Sequence, residues 1–285
     1  KMDSLAGRLV QNLRKLTKVI QDSRSEQDNA NMISGLRKYD EMMEQYVPVL
    51  MAMGRILWER ESYQSLQELF EQSAEFCGEH DVWKLNMAHA FFMQENNYES
   101  AIEYYEMIVN RVNILETAAI VLANLCVSHI MTYKNEEAEE LMRMIEKEEE
   151  EINALQDPSK QALHLCIVNL VIGTLYCSKR NFDFGISRVI KSLEPFEKKL
   201  NSDTWFYAKR CFLALAEQSA KQILIFKDES KNELINFLES VEIGGKNASV
   251  GQVGDDATDL GKNDFNKIWS WDNTSIEAKQ LKDFF

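Results

Sequence analysis

Turn-forming residues are scarce in this chain of 285 residues, which contains 3 prolines and 11 glycines. A β-sandwich or β-barrel of this length needs many tight turns, and proline and glycine supply most of the special backbone angles in those turns. The scarcity therefore argues against an all-β fold and favours helices.

Long apolar runs and an excess of basic residues are also lacking. No apolar run reaches the roughly 18 residues that a membrane-spanning helix needs, so we expect no membrane insertion. The 32 lysines and arginines are outnumbered by 46 aspartates and glutamates, which gives a net charge of −14. This charge repels phosphate backbones and anionic membranes, so nucleic acid is not an expected ligand.

Signatures of catalysis and metal binding are missing from the sequence. It has no glycine-rich phosphate loop, no Gly-x-Ser-x-Gly, no His-Glu-x-x-His and no Cys-x-x-Cys. The five cysteines are scattered and mostly lie in apolar stretches, where a free thiol behaves as a small hydrophobic side chain and indicates a reducing, intracellular compartment. We therefore predict no catalytic residue, no metal site and no cofactor. One enzyme alternative stays open, because His164, Cys166 and Cys177 could converge in space.

A repeat organises the centre of the chain. The segment Tyr98-Glu99-Ser100-Ala101 aligns with Asn135-Glu136-Glu137-Ala138, 37 residues later. Tyr63 lies 35 residues before Tyr98, and Phe182 has the same place in a fourth copy. Each copy comprises two amphipathic helices around a short polar break, which is the tetratricopeptide pattern. The sequence thus predicts an all-α tetratricopeptide-repeat superhelical solenoid of helix-turn-helix hairpins.

Packing explains the residue types of the repeat. A small residue midway along each first helix lets the two helices of a hairpin approach closely, and the aromatic residue of the second helix fills the gap between hairpins. The small residues are Gly54, Ala88, Cys126 or Ser128, and Gly173. Such positions serve structure rather than chemistry.

The repeat also divides the chain into segments. The wider spacing after the third copy, from Glu146 to Lys160, predicts a longer helix and an exposed acidic loop. The predicted segments are irregular N-terminal helices continuing an upstream array (1–46), four hairpins (47–200), a capping helix pair (201–243), a flexible aromatic-containing linker (244–273) and a short C-terminal helix (274–285).

Several longer strings match one family closely. They are Leu9–Tyr39 (LVQNLRKLTKVIQDSRSEQDNANMISGLRKY), Asp81–His89 (DVWKLNMAH), Ile120–Glu150 (IVLANLCVSHIMTYKNEEAEELMRMIEKEEE), His164–Pro195 (HLCIVNLVIGTLYCSKRNFDFGISRVIKSLEP) and Asp203–Glu217 (DTWFYAKRCFLALAE). Together they resemble the tetratricopeptide repeat protein 30 family, also called fleer or intraflagellar transport protein 70. The likeness spans roughly residues 5–241 and corresponds to the C-terminal half of family members, so we expect a fragment, as the initial Lys1 also suggests.

Resemblance to tetratricopeptide arrays implies which side chains line the concave groove that holds a partner. The predicted groove residues are Met51, Arg55, Trp58, Trp83, Asn86, Ala90, Met93, Ile120, Ala123, Val127, Ile130, Met131, Ile167, Leu170, Thr174 and Cys177. Because the groove offers chiefly Arg55 and Asn86 to bond a C-terminal carboxylate, a carboxylate clamp is disfavoured. Either an extended hydrophobic partner covers this apolar groove, or the superhelix buries its own lining.

The family resemblance implies a function and a partner. It implies a non-catalytic scaffold of intraflagellar transport complex B, located at the cilium or flagellum and its basal body on the cytoplasmic side. The implied partners are a proline-rich segment of intraflagellar transport protein 52 and other complex B core subunits, with an indirect link to tubulin polyglutamylation. An alternative is a general adaptor that binds basic partners through its acidic convex face, residues 136–151.

Overall fold

The structure is a computed structural model that describes residues 2–154, 162–221, 227–244 and 271–285. Every regular element within these ranges is a helix. The chain divides into two compact units, Lys1–Tyr104 and Tyr105–Phe285, which are described separately. The predicted all-α class built from helical hairpins is confirmed.

The first unit consists of consecutive helices packed in chain order. Its helices are α1 (Met2–Ser25), α2 (Asn29–Glu59), α3 (Tyr63–Cys77), α4 (Asp81–Met93) and the start of α5 (Tyr98–Val109). Helix α1 packs against α2, α2 against α3, and α3 against α4. The predicted boundary between residues 46 and 47 falls inside α2, because this helix continues through Pro48 without a break.

The second unit begins within α5 and adds further hairpins. Its elements are a short 3-10 helix (Ile114–Glu116), α6 (Ala119–Met131), α7 (Asn135–Ala154), α8 (His164–Ser178), α9 (Phe182–Leu193), α10 (Phe196–Lys199), α11 (Ser202–Ala220), α12 (Asp228–Gly244) and α13 (Trp271–Phe284). Helix α8 packs against α6 on one side and α11 on the other, and α9 packs against α12. First helices of successive hairpins thus lie side by side, as do these second helices.

The second helices of the hairpins begin where the repeat predicts. Helices α3, α5, α7 and α9 start at Tyr63, Tyr98, Asn135 and Phe182. The small residues also permit close approach, because a Cβ added to Gly173 would lie 2.6 Å from Cγ2 of Val189. The longer third hairpin is present as well, since α7 extends to Ala154.

The turns inside the hairpins share one backbone geometry. At each turn the first helix ends on a non-glycine residue in the left-handed region, with φ between 56° and 65°: Gln27, Glu61, Glu95, Tyr133 and Arg180. At four of these turns the following amide donates a bond back into the helix: Asp28 to Ser23 at 2.9 Å, Ser62 to Leu57 at 3.0 Å, Lys134 to His129 at 2.8 Å and Asn181 to Tyr176 at 2.9 Å. This is the Schellman pattern of helix termination. Gln27 precedes Glu61 by 34 residues, so the α1–α2 hairpin, predicted as irregular, follows the same frame.

The end of the chain is part of the second unit's core. Helices α11 and α12 occupy the segment predicted to be a capping pair, and α13 packs against both of them. Its Ala278 and Leu281 are buried beside Trp205, Phe212 and Leu238. Most of the predicted linker, residues 245–270, lies outside the described residues. No helix in the described part of the chain is long and apolar enough to cross a bilayer.

Candidate partner-binding surface

The predicted groove residues of the first unit lie on α2 and α4. Trp58 is 40% exposed and Arg55 is exposed, whereas Met51, Asn86 and Met93 are partly buried. Trp83 and Ala90 are buried, at 5% and 0% exposure. Five of these seven side chains are therefore accessible from the surface of this unit.

Trp83 belongs to the core and does not line an open groove, which corrects its prediction. Its indole Nε1 donates to Oγ of Ser73 at 2.9 Å and to the carbonyl oxygen of Phe70 at 3.1 Å. Ser73 in turn donates to the same carbonyl at 2.7 Å. The indole thus joins α4 to α3, and a buried Trp N–H needs such acceptors to offset its desolvation.

Trp58 is the aromatic residue that the first unit exposes at this surface. Its ring meets the ring of Tyr63 edge to face, with centroids 5.3 Å apart. This contact holds the indole across the turn between α2 and α3. Nearby, Arg55 pairs with Glu59 at 2.9 Å within the same helix, so its charge is already compensated.

The predicted groove residues of the second unit lie on α6 and α8. Ile120 is 36% exposed, and Ile130, Met131, Ile167 and Thr174 are partly buried. The remaining four predicted residues are buried in helix packing and line no open surface: Ala123, Val127, Leu170 and Cys177. The side chains at these positions fill the close contact between neighbouring helices.

Two of these residues contact the next helix along the layer. Oγ1 of Thr174 lies 3.2 Å from Sγ of Cys211 on α11 and also donates to the carbonyl of Leu170 at 3.0 Å. Cys177 is hydrogen-bonded to Cys211, and that bond together with burial raises the pKa of the Cys177 thiol. Both residues therefore join α8 to α11.

Sequence reasoning missed an exposed apolar stripe on α11. Phe206 and Leu213 are 40% and 50% exposed, and the guanidinium of Arg210 lies 5.8 Å from the centroid of the Phe206 ring. The spacing of four and seven residues places all three on one helix face. That spacing was the available signal, but the helix was interpreted only as a cap.

The cysteines and histidines show the chemistry of a core. Burial raises the pKa of Cys166 to about 11 and that of Cys126 to about 12, so both thiols stay protonated and weakly nucleophilic near neutral pH. Nε2 of His164 lies 3.1 Å from the carbonyl oxygen of Thr117. The described residues contain no group of three or more His, Cys, Asp or Glu positioned to hold a metal ion.

The acidic surface lies along α7. Glu136, Glu137, Glu139 and Glu140 are exposed, and the last two pair with Arg143 at 3.7 and 2.6 Å. Glu149 points inward instead. Its carboxylate accepts the backbone N–H of Leu165 at 2.9 Å, and burial raises its pKa. The surface thus retains exposed negative charge that a basic partner could meet.

Comparisons with known proteins agree on one family. A family model described as "Intraflagellar transport protein 70 C-terminal domain" matches residues 1–285. Intraflagellar transport protein 70A of Danio rerio is 56% identical over 268 residues, covering 92% of this chain and 41% of the relative. Intraflagellar transport protein 70B of Homo sapiens is 53% identical over 287 residues, covering 99% and 42%. The chain therefore spans about two-fifths of the length of these relatives.

Solved structures resemble the chain more distantly. The crystal structure of BtubC (BKLC) from P. vanneervenii is 15% identical, covers 90% of this chain and 98% of that chain, and has a TM-score of 0.40.

Proposed function

The chain belongs to the intraflagellar transport protein 70 family, and from this premise we propose that it is part of a non-catalytic scaffold subunit of intraflagellar transport complex B. In this proposal the subunit encloses an extended, proline-rich segment of intraflagellar transport protein 52, contacts other complex B core subunits, and supports cilium assembly and cargo transport. It acts at the cilium and its basal body, on the cytoplasmic side of the membrane.

The observation that carries the proposal is the accessible apolar surface on the first helices of the hairpins. Trp58 and Met93 provide it in the first unit, and Ile120, Ile130 and Ile167 provide it in the second. A patch of accessible apolar side chains is unfavourable in water and commonly marks a site of protein contact, so in this proposal the side chains named in each unit contact the partner. These side chains supply contact area without any group that could perform catalysis.

A proline-rich ligand fits this surface physically. A polyproline II segment is already extended before binding, so its capture costs less ordering entropy than that of a flexible chain. Its rings pack against aromatic and methionine side chains such as Trp58 and Met93. Proline has no backbone N–H, so a proline-rich ligand needs few hydrogen-bond acceptors from its binding surface. An apolar surface without acceptors can therefore bind it without leaving many donors unpaired.

Association with tubulin polyglutamylation is proposed to be indirect. The thiols of Cys126 and Cys166 are protonated near neutral pH, and the scaffold supplies a docking surface rather than a nucleophile. In this proposal it recruits or transports the modifying enzyme.

Exposed glutamates on α7 support a second candidate, a general adaptor for basic partners. Glu136, Glu137, Glu139 and Glu140 lie on the helix surface. Contacts made by exposed charges weaken as salt screens them, whereas apolar contacts do not. Salt dependence of the complex therefore separates the two candidates.

The test measures binding of a peptide from the proline-rich segment of intraflagellar transport protein 52 to the full-length protein. The variant Trp58→Ala with Ile120→Ala removes exposed apolar area without altering the core. The control is Met107→Ala with Met144→Ala, because these methionines are also exposed, at 46% and 50%, but lie on second helices. We expect at least about a tenfold loss of affinity for the first pair, little change for the control, and little effect of added salt. Equal affinity of the two double variants, or dissociation by salt alone, would contradict the proposal.

A further inference from the structure

The Tyr105–Phe285 unit has a second surface feature, and its lining includes none of the apolar groove residues described above. It is an open pocket of about 370 Å³ between α8 and α9. The pocket is lined by Asn169, Phe184, Ser187, Arg188, Lys191 and Ser192. Two of its six lining residues are cationic, although the whole chain carries a net charge of −14.

Arg188 is held in place by a neutral partner. Its Nε and Nη2 donate to Oδ1 of Asn169 at 3.1 and 2.7 Å, and Nη2 lies 3.5 Å from Sδ of Met142 on α7. Within the described residues no carboxylate oxygen lies within 4.0 Å of this guanidinium. A guanidinium has five N–H donors, so the donors beyond these bonds remain available to a ligand that enters the pocket.

This lack of a carboxylate contrasts with two other partly buried cations of the unit, although among the described residues the partly buried Lys199 bonds only the carbonyl oxygen of Ser192, at 3.3 Å. Lys209 pairs with Glu277 at 2.9 Å and Lys282 pairs with Glu242 at 2.6 Å. Arg188 is similarly half-buried, and burial lowers the pKa of its guanidinium while only Tyr176 and Cys126 oppose that shift. Burying a charge without an opposite partner is unfavourable. A half-buried cation without a carboxylate partner among the described residues is available to pair with an anion of a binding partner.

The surroundings of Arg188 define what kind of anion fits. Lys191 is exposed one helical turn further along α9 and adds a second positive charge. Phe184 is 47% exposed and leans edge-on against Tyr176, with ring centroids 4.6 Å apart, so it provides an apolar wall. Ser187 donates towards Glu233 at 3.4 Å. The nearby carboxylate of Glu233 repels a bound anion, so the favourable position for the anion is on the Arg188 side of the pocket.

We propose that this pocket binds one anionic side chain, a carboxylate or a phosphoryl group, of a partner polypeptide. The anion pairs with the fixed guanidinium of Arg188 and with Lys191, and a neighbouring apolar side chain of the partner packs on Phe184. Arginine forks match the oxygen spacing of carboxylates and phosphates and form two parallel hydrogen bonds with them. An extended polyanion is disfavoured, because the exposed glutamates of α7 would repel its other charges.

Binding of short peptides to the full-length protein tests this assignment. The probes are capped Glu-Phe, phosphoserine-Phe and Gln-Phe peptides, together with inorganic phosphate and acetate alone, measured by NMR titration or calorimetry. Binding of the Glu or phosphoserine peptide, at least about tenfold tighter than the Gln peptide and the free anions, supports the proposal. The relative strength of the first two identifies the anion. Equal binding of the Gln peptide overturns it, as does equal binding of free phosphate or acetate.

Substitutions then locate the site. Arg188→Gln removes the charge, and Lys179→Gln, an exposed residue outside the pocket, is the matched control. We expect about a tenfold loss of peptide affinity for the first variant and none for the control. The stability of the free protein should stay equal or rise in Arg188→Gln, because an uncompensated half-buried charge has been removed. A destabilised variant that still binds the peptide normally would assign Arg188 a structural role only and overturn the proposal. Lys191→Gln, on an exposed side chain, gives the same test of binding without risk to folding.

Discussion

Trp205 on α11 donates its indole N–H to Oε2 of Glu277 on α13 at 2.8 Å, a contact between residues 72 positions apart. Lys209 lies one turn along α11, and its Nζ is 2.9 Å from both oxygens of the same carboxylate. Trp205 is fully buried. The C-terminal helix is thus fixed to the core of the second unit by a polar contact as well as by apolar packing.

Removal of this carboxylate should loosen the C-terminal helix. Glu277→Ala leaves the buried indole N–H and the ammonium of Lys209 without their shared acceptor, so we expect the free energy of unfolding to fall by about 1–3 kcal/mol. Denaturant titration followed by tryptophan fluorescence measures the change. Lys279→Ala, an exposed substitution on the same helix, is the control and should stay close to the parent. Equal stability of the two variants would count against a structural role for the Trp205 contact.

Close packing of α8 and α9 should make one glycine irreplaceable. A Cβ at Gly185 would lie 2.7 Å from Sγ of Cys177 and 2.8 Å from the carbonyl oxygen of Gly173. We expect Gly185→Ala to destabilise the protein by about 1–3 kcal/mol through overpacking. Gly7→Ala is the matched control, since a Cβ there meets no atom within 4 Å. At that exposed helix position alanine should stabilise by about 0.5–1 kcal/mol, so thermal unfolding should show shifts of opposite sign.

The left-handed turn between α8 and α9 offers a stabilising substitution. Arg180 adopts φ 65°, which costs an L-residue energy that glycine does not pay. Arg180→Gly should therefore raise the free energy of unfolding by about 0.5–1 kcal/mol, after the larger chain entropy of glycine is subtracted. Arg180→Ala controls for loss of the charge and should give no gain. A gain from alanine equal to that from glycine would attribute the effect to charge instead of backbone conformation.

His129 should make stability depend on pH. Burial lowers its pKa, while Glu106, 3.7 Å away, and Glu137 raise it and Lys134 lowers it further. Because the folded pKa lies below the unfolded value of about 6.5, the unfolded chain binds more protons as the pH falls. Stability should therefore decrease on acidification from about pH 7.5 towards pH 5.5.

His129→Gln should reduce the part of this loss that the buried imidazole causes. His80→Gln, at an exposed position, serves as the control, and chemical denaturation at several pH values provides the measurement. Partial burial also lowers the pKa of His89, so part of the loss should persist in the variant. An unchanged difference in stability between the two pH values would show that His129 does not titrate in this range.

Groove residues were the least predictable part of the molecule. Trp58 and Trp83 were both placed in the groove by the repeat, yet Trp58 is 40% exposed and Trp83 is 5% exposed. Their difference comes from neighbours: Trp83 finds hydrogen-bond acceptors at Ser73 and Phe70 on the adjacent helix, whereas Trp58 meets Tyr63 at a turn. A repeat position specifies the helix face on which a residue lies. The packing of the next helix decides how much of its side chain remains accessible to solvent.

The sequence by itself determined the helical class, the helix starts at Tyr63, Tyr98, Asn135 and Phe182, and the close contact at Gly173. These features follow from local spacing and residue size, which short stretches of chain carry. Tertiary structure alone decided that the C-terminal helix belongs to the core, that six predicted groove residues are buried, and that Arg188 has no carboxylate partner among the residues the structure describes. Each of these depends on residues far apart in the chain, such as Trp205 and Glu277, and no local pattern encodes how such residues meet.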